Sequence, residues 1–253
     1  MKVLITGGTG TVGKALISQN DNEYISISRN EENITNLNRL YPEVKCYVGN
    51  IEDKSLLLRV FKDVKPDVVV HAAAMKHIDL METNPIAGCN VNVIGSLNVA
   101  EASIINDVPI TVGVSTDKAC LPESVYGASN MNRLIFTKEE AANLINRTID
   151  FTKENGGGFV KSYKMKCVNM LDLAKVVSND KPIEIVGKRP GEKTDEDLIS
   201  KREIKKTYIH GDDIHIKMED NKEDNRLYEA YNSATAEKMT HNEMMELVWH
   251  DGV

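Results

Sequence analysis

Short apolar runs alternate with amphipathic segments along the first 115 residues. Lys2 to Thr6 is an apolar run that ends in glycines, and Thr11 to Gln19 then carries apolar residues at helical spacing. Further strands are predicted at Glu23–Ser28, Val44–Val48, Asp67–Ala73 and Pro109–Ser115, with helices at Glu31–Leu40, Lys54–Phe61 and Pro85–Ile105 between them. Strands that alternate with helices indicate βαβ units, so the pattern predicts an α/β fold with a doubly wound parallel sheet.

The pattern changes after residue 130. Helices are predicted at Lys138–Thr152, Val168–Val177 and Thr235–Val248, strands at Phe159–Tyr163 and Pro182–Val186, and loosely packed strands or loop over residues 201–230. Three consecutive glycines, 156–158, separate the first of these helices from its strand. We therefore expect a dinucleotide-binding domain over residues 1–136 and a small substrate-binding lobe over residues 137–253.

Composition and charge narrow the range of partners. A net charge of −7 and a pI near 5.5, without a basic stripe, make nucleic acid an unexpected partner. No run of 18 apolar residues is present, so no membrane association is expected and a cytoplasmic location is predicted. The four cysteines are widely spaced without a CxxC pair, which argues against a metal site or disulfide framework and favours reduced, buried thiols.

The strongest chemical signal is the segment TGGTGTVG, residues 6–13, between the first strand and the first helix. Its glycines permit a tight turn and a close approach of backbone to a pyrophosphate, whose charge then meets the positive end of the helix. The alternative is a tight turn that binds nothing. Its position at the start of a βαβ series favours a Rossmann-like dinucleotide site.

The second predicted strand ends at Ser28-Arg29-Asn30 rather than at a carboxylate. Arg29 favours a 2′-phosphate partner and hence NADP over NAD. Arg29 could instead be a solvated charge, with Glu31 and Glu32 as ribose acceptors. Asn50, after the third strand, is either a contact for the adenine edge or a turn residue.

Polar groups also follow the fourth and fifth strands. His71 is followed by three alanines, which would let a cofactor lie against the backbone, and Ser115-Thr116-Asp117-Lys118 precedes Tyr126. Since the carboxyl ends of parallel strands form the ligand crevice of such sheets, we expect these groups to converge. Taken alone, the tetrapeptide could equally be a helix cap beside a solvated lysine.

These residues resemble a known family, the extended short-chain dehydrogenase/reductases, and within it the inverting UDP-N-acetylglucosamine 4,6-dehydratases of polysaccharide biosynthesis. The matching segments are the TGxxGxxG loop, Ser28-Arg29 before Glu31, HAAAMKH (71–77), Asn92 before Gly95, STDKA (115–119), YGAS (126–129), RPGEK (189–193), residues 159–174 and YNSATAE (231–237).

The resemblance implies a reaction in which NADP takes a hydride from C4 of a UDP-sugar, water leaves across C5 and C6, and the hydride returns to C6. It assigns Tyr126 to the C4 hydroxyl proton, Lys118 to the C5 proton and Asp117 to the leaving C6 hydroxyl. The implied cofactor-binding residues are Gly7, Thr9, Gly10, Thr11, Val12, Gly13, Ser28, Arg29, Asn50, Ile51, Ala72, Ala73, Ala74, Lys76 and Asn92. The implied substrate-binding residues are Lys76, His77, Thr116, Arg189 and Glu192.

The resemblance breaks at residue 130. The family pattern YxxxK requires a lysine four residues after the tyrosine, whereas Asn130 stands there, and the following residues resemble a segment that lies far downstream in the family. We infer that several tens of residues are absent between Ser129 and Asn130, including the lysine, the sixth strand and much of the sugar-binding loop. Loss of the cation and the loop predicts impaired catalysis.

Three functions remain open at this point. The first is a 4,6-dehydratase-like protein with impaired turnover, and the second is a catalytically silent binding protein for a dinucleotide or nucleotide sugar. The third, a UDP-sugar 4-epimerase, is disfavoured because the Asp117-Lys118 pair supplies an acid and a base that epimerisation does not need. A homo-oligomer is compatible with each of them.

Overall fold

The amino-terminal part forms the predicted doubly wound parallel sheet. The computed structural model describes residues 1–115, 132–179, 181–184, 197–219, 227 and 229–249. Five parallel strands are ordered β3-β2-β1-β4-β5. The elements of this part are β1 (Lys2–Thr6), α1 (Thr11–Gln19), β2 (Glu23–Ser28), α2 (Glu31–Leu40), β3 (Lys45–Val48), α3 (Lys54–Val64), β4 (Val68–His71), α4 (Ile78–Thr83), α5 (Pro85–Cys89), α6 (Ser96–Ile105) and β5 (Ile110–Gly113).

Both faces of this sheet are buried. Alternate residues of β1 point to opposite sides, so that Val3 and Ile5 join one core cluster with residues of α1 while Leu4 joins a second cluster with residues of α3 and α6. The near-continuous apolar runs of β1 and β4 follow from this double coverage. The central strand order reverses between β1 and β4, which is where open α/β sheets bind ligands.

The predicted helix over Pro85–Ile105 contains an irregular turn. Residues Asn90–Gly95 are π-helical and lie between α5 and α6, so the backbone is wider there than in an α-helix. At the end of this turn the N–H of Ser96 bonds the carbonyl of Val93, three residues earlier, and the Ser96 hydroxyl donates to the carbonyl of Asn92 at 2.7 Å. Cys89, in the last turn of α5, is exposed, so the expectation that all cysteines are buried is wrong at this position.

The helix α7 (Lys138–Asn155) packs on the sheet rather than with the residues that follow it. Its buried residues Ala142, Ile145 and Ile149 belong to the core cluster of α1 and β1. The compact unit around the sheet consists of Met1–Val114 and Lys138–Gly157. The structural boundary therefore differs from the expected one at residues 136 and 137, because α7 buries its apolar face on the first unit. The assignment of substrate binding to the remaining part stays a prediction.

The second unit contains short antiparallel strands and two helices. Its described elements are β6 (Asn132–Leu134), β7 (Phe159–Tyr163), β8 (Cys167–Asn169), α8 (Met170–Ser178), β9 (Asp197–Ile199), β10 (Thr207–His210), β11 (Asp213–Lys217), β12 (Tyr231–Asn232) and α9 (His241–Trp249). The strands form three small sheets, ordered β10-β11-β7, β12-β9 and β6-β8. A small apolar core joins α8 to α9 through Val176, Met244 and Val248.

Local signals explain where this unit departs from its expected elements. Gly211, at φ +62°, forms the turn between β10 and β11, so part of the charge-rich stretch over residues 201–230 is an ordered hairpin. The last helix starts at His241 rather than Thr235, because Thr240 and Glu243 form a reciprocal capping box. The expected strand Pro182–Val186 has no regular structure over residues 182–184, and its last two residues lie outside the described residues.

Candidate functional site

A glycine loop joins β1 to α1 at the carboxyl edge of the sheet. Gly7 has a φ of +81°, and its N–H donates to the carbonyl of Ile27 at 2.9 Å. Gly13, inside α1, lets the helix approach the loop, because a Cβ there would stand 2.5 Å from the Cα of Gly8. Within the described residues no side chain caps α1, and its first turn holds no acidic side chain. This helix terminus is therefore suited to bind an anionic group.

The loops after β2 and β3 form one end of a cleft that opens beside the glycine loop. The cleft has a volume of about 290 Å³. Arg29 and Asn30 border it after β2, and Asn50 and Ile51 border it after β3. Asn50 also donates from its amide to Glu52 Oε1 at 2.9 Å, so it contributes to the turn as well as to the cleft wall.

The loop after β4 forms the other wall of this cleft. Ala72, Ala73, Ala74 and Lys76 line it, and the backbone of Ala73 lies against Gly7. That these small side chains let a cofactor lie against the backbone stays a prediction. His77 is exposed and precedes the first turn of α4.

A chain of hydrogen bonds runs behind this wall. The Thr6 hydroxyl lies 2.6 Å from His71 Nδ1, and His71 Nε2 lies 2.8 Å from the Ser96 hydroxyl. Because that hydroxyl donates to the carbonyl of Asn92, it accepts from Nε2–H, and Nδ1 is then the acceptor for Thr6. Burial lowers the pKa of His71, which agrees with a neutral imidazole in this position.

The cleft brings together the cofactor-binding residues that the resemblance implies, with one exception. Asn92 does not line the cleft: its amide bonds the backbone of Met75 instead, with Met75 N–H donating to Oδ1 at 2.8 Å and Nδ2 donating to Met75 O at 2.9 Å. Its expected direct contact with a cofactor is thus replaced by a contact with the loop after β4.

Sequence reasoning missed several residues of the cleft wall, which are Ile27, Asn30, Asn33, Gly49 and Val91. Asn30 and Asn33 belong to one feature, since Asn30 caps α2 by accepting from the N–H of Asn33. That capping pattern is visible in the sequence and places both residues at the carboxyl end of β2. Val91 lies on the π-helical turn, which no periodicity predicts.

Six residues with expected roles in catalysis or substrate binding lie outside the described part of the chain. They are Thr116, Asp117, Lys118, Tyr126, Arg189 and Glu192. Their expected roles in catalysis and in substrate binding stay predictions.

Fold and site together define the class of this protein. A parallel sheet with the order 3-2-1-4-5, a glycine loop before its first helix and a cleft at its carboxyl edge are the features of the Rossmann-like, extended short-chain dehydrogenase/reductase type. The chain belongs to the polysaccharide biosynthesis protein family, whose family model matches residues 3–131 and 128–218.

Individual relatives agree with this family. An uncharacterized membrane protein of Methanocaldococcus jannaschii is 30% identical over 275 residues, which cover 80% of this chain and 81% of that protein. An inverting UDP-N-acetylglucosamine 4,6-dehydratase of Campylobacter jejuni is 38% identical over 136 residues, which cover 51% of this chain and 40% of that enzyme. The chain thus aligns with well under half of the dehydratase. Among the described helices, none combines the length and the apolar character needed to cross a membrane.

A solved structure matches the whole fold. The X-ray structure of Pen from Bacillus thuringiensis has a TM-score of 0.86 at 23% identity, over 99% of this chain and 97% of that chain. At this identity the likeness shows the fold.

The family match also bears on the break after Ser129. Its two segments, residues 3–131 and 128–218, meet at the position where the sequence resemblance breaks. The alignment with the Methanocaldococcus protein spans 275 residues while taking in 80% of a 253-residue chain, so several tens of its positions fall opposite gaps in this chain. Both observations agree with an internal segment that the Methanocaldococcus protein has and this chain lacks, whereas Pen from Bacillus thuringiensis, which this chain covers to 97%, has no such additional length.

Proposed function

We propose that this chain binds NADP in the cleft beside the glycine loop and is a UDP-N-acetylglucosamine 4,6-dehydratase-like protein with impaired turnover. One observation carries the proposal: with the exception of Asn92, every residue that the family resemblance assigns to the cofactor lines this single cleft. Family membership supports the sugar-nucleotide part of the proposal.

The charge at the end of β2 supports NADP rather than NAD. Arg29 is exposed and borders the cleft, so its guanidinium can reach an anionic group there without a burial cost. A 2′-phosphate would accept charge-assisted hydrogen bonds from that guanidinium, whereas a neutral ribose hydroxyl would accept weaker ones. Glu31 and Glu32, in the first turn of α2, are the acceptors that an NAD-binding site would use instead.

The glycine loop supports the orientation of the dinucleotide. The uncapped N-terminus of α1 would hold the pyrophosphate, the loops after β2 and β3 the adenosine half, and the loop after β4 the side toward the nicotinamide. When bound, the cofactor would supply hydride transfer between two sugar carbons. Tyr126 would take the proton of the C4 hydroxyl, Lys118 would take the proton on C5, and Asp117 would donate a proton to the C6 hydroxyl, which leaves as water.

The impaired turnover that we propose rests on the segment of the Methanocaldococcus protein that this chain lacks. Asn130 carries no charge, so it cannot stabilise a tyrosinate at Tyr126 as the family's lysine does. A missing strand and loop would also remove groups that position the sugar and exclude water.

Two measurements on the unmodified chain test this proposal. Titration calorimetry should show saturable NADP binding that is tighter than NAD binding. Incubation with NADP and UDP-N-acetylglucosamine should then give a 4-keto-6-deoxy product slowly or not at all, as followed by NMR. Failure to bind either dinucleotide would refute the cofactor assignment, equal affinities would refute the role of Arg29, and rapid product formation would refute the impairment.

A further inference from the structure

Two asparagines on one helix hold the two loops that form the walls of the cleft. Asn92, on the π-helical turn, bonds both the N–H and the carbonyl of Met75 in the loop after β4. Asn98, on α6, donates to the carbonyls of Ile51 and Glu52 in the loop after β3, each at 3.1 Å. Each loop also contributes residues to the cleft wall, which are Ile51 in one and Ala74 and Lys76 in the other.

The helix between these asparagines lies very close to the loop after β3. A Cβ on Gly95 would stand 2.6 Å from the side chain of Ile51, so a larger residue there would force the Ile51 side chain to move. Asn98 is 6% exposed and therefore has no solvent alternative to its two carbonyl partners. Val91, one turn before Gly95, lines the cleft itself. The helix thus reaches both walls from behind.

Side chains of one helix form hydrogen bonds with two different loops. Ser96 contacts the end of β4 by accepting from His71, and Asn92 contacts the loop after β4 by bonding Met75. Asn98 is two residues beyond Ser96 and therefore points to a different side of the helix, toward the loop after β3. Asn92 on the π-helical turn and Asn98 on α6 therefore contact different loops.

We propose that Asn92 and Asn98 are positioning residues that fix the two walls of the dinucleotide cleft, with Asn92 acting on the nicotinamide side and Asn98 on the adenosine side. This inference rests on the proposed binding of NADP. The sides follow from the sheet order: β3 lies beyond β2, next to the adenosine end, whereas β4 lies on the opposite side of β1. Both polar atoms of the Asn92 amide are hydrogen-bonded to the backbone of Met75, so the effect of Asn92 on a ligand is indirect.

Two ligands distinguish positioning from general stabilisation. NADP spans the whole cleft, whereas adenosine 2′,5′-bisphosphate reaches only the adenosine end and the pyrophosphate loop. In the full chain, Asn92→Ala should weaken NADP about tenfold and leave the bisphosphate within about twofold, because only the wall after β4 moves. Asn98→Ala should weaken both ligands by similar factors. Asn90→Ala is the matched control, since Asn90 is exposed on the same π-helical turn, and it should bind both ligands as the unmodified chain does.

Hydrogen exchange tests the contact with Met75 without any ligand. The amide of Met75 should exchange faster in Asn92→Ala and at the normal rate in Asn90→Ala and Asn98→Ala. Equal weakening of both ligands by Asn92→Ala, unchanged affinity for both, or unchanged exchange at Met75 would each overturn the inference. Absence of NADP binding by the unmodified chain would overturn the proposed function instead. The exchange rate of the Met75 amide would still test the contact between Asn92 and Met75.

Discussion

The backbone of Ala73 occupies the space that a side chain on Gly7 would need. A Cβ on Gly7 would stand 2.9 Å from both the Cα and the N of Ala73, closer than real Cβ contacts allow. At Gly7 the loops after β1 and β4 therefore approach each other backbone to backbone. Gly7 also has a φ of +81°, a conformation that side-chain-bearing residues rarely adopt. Two independent constraints thus require glycine at this position.

Gly7→Ala should destabilise the sheet unit and weaken NADP binding. The left-handed backbone alone costs an alanine about 1–2 kcal/mol, and relief of the contact with Ala73 requires one of the two loops to move. Urea unfolding and NADP titration measure the two effects. Gly157→Ala is the control: Gly157 is exposed, a Cβ added there would meet no heavy atom within 4 Å, and its φ is not positive, so neither quantity should change. Normal NADP affinity in Gly7→Ala would contradict the close approach.

Arg29→Ala should change the choice between cofactors. Loss of a charge-assisted contact to a 2′-phosphate should weaken NADP by about 10- to 100-fold while NAD affinity stays within about twofold. Arg39→Ala, an exposed arginine in the last turn of α2, should leave both affinities unchanged. If Arg29→Ala weakens NADP and NAD alike, Arg29 contacts a group that both dinucleotides share, and the 2′-phosphate assignment is wrong.

The sequence predicted the amino-terminal sheet because local and tertiary signals agree there. β1, α1, β2 and α2 begin and end at the predicted residues, since their apolar spacing, glycine loop and capping residues all indicate the same elements. The cleft follows from the same logic, because strand ends in a parallel sheet must converge. Most of the cleft wall is therefore predictable from the strand ends and the glycine loop.

Other features depend on contacts that periodicity does not reveal. At the π-helical turn Asn90–Gly95, Gly95 packs against Ile51 and Asn92 bonds Met75, and these tertiary contacts are not visible in the helical pattern over Pro85–Ile105. The location of α7 on the first unit likewise depends on which apolar surface its residues meet. By contrast, the capping box of Thr240 and Glu243 is visible in the sequence, and the start of α9 could have been predicted from it.

The buried His215 should make stability fall on the acid side. It lies on β11, stacked on Tyr208 at 4.8 Å, and burial together with the nearby Lys161 lowers its pKa to about 4 from the ordinary 6.5. Between these values the unfolded chain binds a proton that the folded chain does not. The contribution of His215 is therefore complete above about pH 6.5 and is lost progressively as the pH falls toward 4.

His215→Phe should flatten this dependence, because phenylalanine keeps a ring against Tyr208 and does not titrate. Urea unfolding at about pH 7.5 and about pH 5 measures the slope, which should be smaller than in the unmodified chain. His241→Gln, which replaces an exposed histidine at the start of α9, should keep the original slope. An identical slope in His215→Phe and the unmodified chain would show that His215 is not the group responsible.

Replacing Asn130 by lysine should not restore catalysis. The family's lysine acts from the helix that carries the tyrosine, and the segment that this chain lacks begins at that point, so Asn130→Lys restores the charge without the elements that would direct it. NADP affinity should stay unchanged in this variant, because the glycine loop and the cleft lie before residue 92. Product formation from UDP-N-acetylglucosamine should remain near the level of the unmodified chain, as followed by NMR over hours. Strong activation by Asn130→Lys would mean that the missing charge alone limits the reaction.

Any residual turnover should disappear in Lys118→Ala with NADP affinity retained, since that lysine acts on the sugar rather than on the dinucleotide. Unaltered turnover in Lys118→Ala would remove Lys118 from the mechanism.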